Sequence, residues 1–135
     1  MSDTEAVTLV KGAIHNPSEP RHFMRVVPAG SRQVARVGDR SIADSTAAML
    51  VKEVGRDIYD PVVYFPRADV DMAALAGIDK STHCPLKGDT EYFDIEVDGE
   101  RVSEAAWSYV EMVEGAEILR ELVAFDGSKV ALSSD

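Results

Sequence analysis

The stretch Glu91-Tyr92-Phe93-Asp94-Ile95-Glu96-Val97-Asp98-Gly99-Glu100-Arg101-Val102-Ser103 alternates apolar and polar side chains and breaks at Asp98-Gly99. Successive strand residues point to opposite faces, and an Asp-Gly pair accepts the positive φ angles of a tight hairpin turn. The pattern predicts a hairpin with Phe93, Ile95 and Val97 on one face and Tyr92, Asp94 and Glu96 on the other. It sets the reading of the whole chain as mainly β.

The flanking sequence repeats the theme. Gly38-Asp39 separates residues 33–37 from residues 41–43, a second hairpin. Upstream, Phe23, Arg25 and Val27 alternate with His22, Met24 and Val26, and Pro28-Ala29-Gly30 turns the chain toward Val34, so two short strands joined by a turn are expected. Val62-Val63-Tyr64-Phe65, bounded by Pro61 and Pro66, has the β-branched and aromatic composition of a buried strand. Residues 105–110, if extended, carry Trp107 and Tyr109 on one face. Residues 122–125 and 129–132 read as a last strand pair joined through Asp126-Gly127. Short strands with turn signals roughly every 8 to 12 residues indicate a mainly-β domain. Helix enters briefly: one or two turns over residues 68–76, ended by Gly77, and a short helix over residues 114–119. Ala47-Ala48-Met49-Leu50-Val51-Lys52-Glu53 is two-sided, since its residues favour helix while the run is very short.

Composition bounds the rest. A chain of 135 residues with 45% hydrophobic residues suits one globular domain. Twenty-four Asp and Glu against fourteen Lys and Arg leave a formal charge of −10, which repels polyanions and disfavours nucleic acid and acidic lipid as partners. The single cysteine, Cys84, cannot form an intramolecular disulfide or the paired knuckles of a zinc site. Met1 to Ala6 is acidic, with no basic region before a long apolar run, and no apolar stretch approaches the ~20 residues needed to span a bilayer. A soluble, cytoplasmic protein without a membrane partner is therefore expected. Asn16-Pro17-Ser18-Glu19-Pro20 closes a leader, residues 1–20, read as flexible or surface-draped, ahead of a single domain over residues 21–135.

Three groups of residues could carry chemistry. The first is Thr82-His83-Cys84-Pro85-Leu86-Lys87-Gly88, where His83 and Lys87 flank the only thiol. A neighbouring cation raises a thiolate fraction, which makes Cys84 a candidate nucleophile and His83 its candidate partner. Adjacent residues of an extended chain point apart, however, so a buried inert Cys84 with Lys87 holding a carboxylate is the competing reading. The second group is aromatic: Tyr64, Tyr92, Trp107 and Tyr109 either line a pocket or fill a core. The third is Asp69-Val70-Asp71, an Asp-x-Asp pair of the kind two-metal phosphoryl-transfer sites use. The Gly-Ser pair that precedes such an Asp-x-Asp in nucleotidyltransferases is absent at the required distance, and Asp69 reads more simply as a helix cap. His15, His22 and His83 do not gather by spacing, and phosphate-loop or dinucleotide motifs are lacking, so neither metal nor cofactor is expected.

Taken together, Ile42-Ala43-Asp44-Ser45, Glu53, Val63-Tyr64-Phe65-Pro66 with Asp69-Val70, the Thr82 to Gly88 motif, Tyr92, Ala106-Trp107-Ser108-Tyr109 and Val123-Ala124-Phe125 resemble the domain-of-unknown-function family 427. The likeness runs from about Phe23 to Leu132. It implies a β-tent-like arrangement of short antiparallel strands with one or two short helices, without the two cysteine pairs that hold zinc in other β-tent proteins. It also implies that residues 47–53 form a strand, against their local propensity. The family carries a nucleotidyltransferase-like name, which the spacing around Asp69 does not support.

The expectation from residues and resemblance together is a cleft between two sheets that binds a small polar or anionic molecule. Tyr64, Tyr92, Trp107 and Tyr109 would wall it, Lys87 would charge it, and Glu53 or Asp69 would serve as counter-ion. The alternatives are a thiol-dependent or group-transfer enzyme built on Cys84, and a structural or interaction module. Exposed edge strands leave a homodimer open.

Overall fold

The computed structural model describes residues 9–135; the first part of the expected leader lies outside the described residues. The large sheet runs, in spatial order, β1 (Ile14–Asn16), β2 (Glu19–Pro28), β5 (Met49–Val54), β6 (Val62–Phe65), β11 (Val123–Phe125), β10 (Glu100–Met112), β9 (Gly88–Val97) and β7 (Leu75–Ile78), with β8 (His83–Cys84) also paired to β9. A small sheet holds β12 (Ala131–Ser134), β3 (Gln33–Val37) and β4 (Arg40–Ser45). The strands pair antiparallel, and the helical content consists of 3-10 turns at Arg67–Asp69, Met72–Ala74 and Glu117–Leu119. The protein is mainly β, as the alternation implies.

Both predicted hairpins form. β9 turns into β10 at Asp98 (φ 51°) and Gly99 (φ 79°), and β3 turns into β4 through Gly38. The helix-forming run 47–53 supplies β5, pinned between β2 and β6 with Val51 2% exposed, so pairing on both edges overrides local preference. Other expectations are corrected. Residues 68–76 give two separate 3-10 turns, and Gly77 ends no helix but lies inside β7. The last two strands do not pair: β11 enters the large sheet between β6 and β10, while β12 crosses to β3. β2 and β3 likewise belong to different sheets, so Pro28-Ala29-Gly30 is a crossing between layers. The end of the leader is strand, with Ile14 opposite Met24 in β2.

Two apolar clusters sit on opposite faces of the large sheet. Phe65, Phe93, Ile95, Ala106, Val123 and Phe125 face the small sheet and meet its Ala35, Ile42 and Ala43, with the rings of Phe65 and Phe125 edge to face at 5.5 Å. Their strand neighbours point the other way. Met24, Val51, Tyr64, Tyr109 and Ala124 build an outer cluster that is roofed by Leu86, Ala116 and Leu119 from connecting segments. Leu86 and Leu119 are fully buried, which at about 1.5 to 3 kcal/mol per buried Leu explains why these segments fold back over the sheet.

Candidate functional site

Strand alternation assembles one row across the outer face. Tyr92 in β9 is opposite Trp107 in β10, Trp107 is opposite Ala124 in β11, and Ala124 is opposite Tyr64 in β6. Because Ala124 is small, Trp107 reaches over it and donates its indole N–H to the Tyr64 hydroxyl at 3.3 Å. On the other side the Tyr92 and Trp107 rings lie 6.2 Å apart, and Lys80 stands 4.6 Å from the centre of the Tyr92 ring. Tyr109, two residues beyond Trp107, joins the same face.

At the β2–β5 end of this face the charges meet. Met24 and Glu53 are register partners, so His22, Met24 and Glu53 share the face on which Val51 and Tyr64 lie. The Thr82 to Gly88 motif comes from the opposite end: β8 pairs with β9, the Lys87 N–H donates to the Cys84 carbonyl, and the Val113 N–H donates to the Lys87 carbonyl. Gly88 makes this approach possible. It holds φ 127°, and a Cβ there would lie 2.0 Å from the Glu111 carbonyl oxygen. The turn drives Leu86 into the outer cluster and brings the Lys87 ammonium onto Glu53 Oε1, while His22 donates from Nε2 to Glu53 Oε2 at 2.8 Å. Lys87 also lies 6.0 Å from the Tyr109 ring centre. The Glu53 and Lys87 side chains are 16% and 10% exposed, and no buried side-chain polar atom among the described residues lacks a partner.

Burial alone would raise the Glu53 carboxyl, but the hydrogen bonds from Lys87 and then His22 outweigh it and hold the group below the usual carboxylate range. Tyr64 and Tyr109 go the other way. Desolvation lifts both phenols well above the ordinary value, with nearby Glu53 adding to the effect.

Of the residues singled out from sequence, Glu53, Tyr64, Cys84, Lys87, Tyr92, Trp107 and Tyr109 are carried on one face, and it is the outer face of the large sheet rather than the gap between sheets. Asp69 stands apart: its carboxylate accepts from the Ser45 hydroxyl of β4 at 2.6 Å, and it caps no helix. Asp69 and Asp71 also share no strand, since they lie in and just after a 3-10 turn. His83 is exposed and pairs with Asp89 at 2.7 Å, on the side of β8 away from the outer cluster. The imidazole that does approach Cys84 is His22, whose ring nitrogen, a Glu53 oxygen and the Cys84 sulfur lie within 4.8 Å of one another. Spacing could not reveal it, yet its alternation in phase with Met24 and Val26 marked the face it would occupy.

A cleft of about 520 Å³ opens beside this network, lined by Glu19, Arg21, His22, Arg56, Tyr59 and Pro85. No helix among the described residues is long and apolar enough to cross a membrane. No curated protein matches the chain. Residues 25–135 match the model of the domain of unknown function DUF427, and the chain therefore belongs to that family.

Proposed function

We propose that this DUF427 protein binds a small anionic molecule in the cleft beside His22. The observation that carries the reading is the placement of the cleft: Arg56 reaches it beside the Glu19–Arg21 ion pair and the His22 ring, in a chain whose formal charge is −10. Arg21 is paired with Glu19 at 2.9 Å, whereas Arg56 makes no ion pair among the described residues and is available to an anion. Tyr59 offers an aromatic wall, and Pro85 brings the Thr82 to Gly88 motif to the rim. In this arrangement Tyr64, Tyr109, Glu53 and Lys87 act beneath the cleft, holding His22 and the motif turn in place, and Trp107 reports on them. The pair of open antiparallel sheets supports a β-tent-like description of the scaffold, and the unpaired thiol of Cys84 accords with the reducing cytoplasm.

The test is a thermal-shift screen of carboxylates, phosphates and nucleotides on the wild type and on Arg56→Ala, an exposed change with little expected effect on folding. An anion that raises the melting temperature of the wild type and fails to do so in Arg56→Ala supports the reading. Absence of any shift across the panel, or a shift untouched by Arg56→Ala, counts against it.

A further inference from the structure

We propose that His22, Glu53 and Cys84 form a three-ligand site for a divalent transition-metal ion of the zinc class. The donor atoms come from three separate strands, β2, β5 and β8, and lie within 4.8 Å of one another. Bonds of ~2.0 to 2.3 Å in a tetrahedral ion place its ligand atoms ~3.3 to 3.8 Å apart, so rotation of half-buried side chains closes the difference. Imidazole, carboxylate and thiolate together are a donor set that suits zinc. The Cys84 thiol is unoxidised and makes no hydrogen bond among the described residues, while its side chain packs against the outer cluster.

The surroundings fit the same role. Lys87 donates to Oε1 of Glu53, so Oε2, which accepts from His22 Nε2 at 2.8 Å, is the ligand atom once that bond gives way to the ion. A cation on the far oxygen then acts as an outer partner that orients the carboxylate, while two anionic ligands offset the charge of the ion. To ligate through Nε2, His22 must carry its proton on Nδ1, which here accepts from the Asn16 side-chain NH2 at 3.3 Å while the Asn16 oxygen accepts from the Ser18 N–H, so the ring turns off Asn16 as it rotates toward the ion. The thiol proton is lost to solvent, giving one proton released per ion bound. The cleft reaches His22 and Pro85, next to Cys84 in the chain, which gives water or an anion a route to complete the coordination. The site does not depend on the anion reading, because metal alone is the probe.

The experiment titrates the fully reduced protein with Co²⁺ and follows absorption. One equivalent should produce thiolate-to-cobalt charge-transfer bands and the visible bands of a tetrahedral ion, and Zn²⁺ should displace them. Cys84→Ser should abolish the charge-transfer band, and it and His22→Gln should each weaken binding at least ~10-fold, the smallest loss seen even for outer partners. His83→Ala, next to Cys84 but 64% exposed and paired elsewhere, should bind as the wild type. Calorimetry in buffers of different ionisation enthalpy should count one proton released. The proposal is overturned if no saturable binding occurs, or if Cys84→Ser, shown to be folded by circular dichroism, binds cobalt with an unchanged spectrum.

Discussion

Replacing Lys87 with Met tests whether the Glu53–Lys87 contact holds the outer face together. The two side chains are 10% and 16% exposed, and the ammonium touches Glu53 while standing 6.0 Å from the Tyr109 ring. At an effective dielectric of about 20, opposite charges attract by about 4 kcal/mol at 4 Å, and this pair is closer. Lys87→Met keeps most of the apolar stem but leaves the Glu53 carboxylate with His22 as its remaining partner. Removing one member of a buried pair costs about 3 to 5 kcal/mol, and the surviving 2.8 Å bond from His22 places the expected loss near the lower end, about 3 kcal/mol. The double variant Glu53→Leu, Lys87→Met removes the orphaned charge along with its partner and should recover most of that loss. Urea unfolding followed by Trp107 fluorescence measures both. The sign with pH follows from the lowered Glu53 carboxyl: its contribution is whole above the unfolded value near about 4.3 and is lost as pH falls through the folded value. Wild-type stability should decline on acidification through that window, and Lys87→Met should decline less. If the single variant is no less stable than the double, the pair is not what holds the motif turn, and the reasoning fails.

Gly88→Ala should destabilise by about 3 kcal/mol, combining a positive-φ strain with a Cβ driven into the Glu111 carbonyl; denaturant midpoints will read this directly. Tyr64 and Tyr109 should stay neutral through the ordinary phenol range in an ultraviolet pH titration, since burial raises both. Their contribution to stability is therefore whole below about pH 10 and lost as pH rises toward the folded values, and Tyr64→Phe with Tyr109→Phe should flatten that alkaline decline. His83→Ala should change stability by less than about 0.5 kcal/mol and leave the rate of Cys84 alkylation unaltered, because His83 pairs with Asp89; a slowed alkylation would restore His83 as the partner of the thiol. Leu119→Ala should cost about 2 to 5 kcal/mol by opening the roof of the outer cluster, where Leu119 is fully buried.

Local pattern and neighbouring turns made the hairpins at 91–103 and 33–43 legible, because alternation and Gly-Asp or Asp-Gly pairs act over a few residues. The strand over 49–54 was not legible in this way. Its Met, Leu, Lys and Glu favour helix, and only its two neighbours in the sheet make the extended form the lower in free energy. The terminal strands show the same limit from another side. Asp126-Gly127 is a genuine turn signal, yet β11 and β12 part after it because each finds a better partner, β10 with β6 in one case and β3 in the other.

The site divides along the same line. The residue types of the Thr82 to Gly88 motif and the aromatic residues were visible one by one, and period-two alternation already placed Trp107 with Tyr109 on one face and His22 with Met24 on another. Which faces coincide is a matter of sheet order, and sheet order is decided by pairings across long stretches of chain. The contact between Glu53 and Lys87 spans 34 residues and that between His22 and Glu53 spans 31. Sequence by itself therefore determined a mainly-β, acidic chain with a single thiol and a short list of polar residues. The tertiary structure decided that these residues sit on the outer face, that Asp69 and His83 leave the group, and that His22 enters it, because long-range pairing has no signature in local propensity.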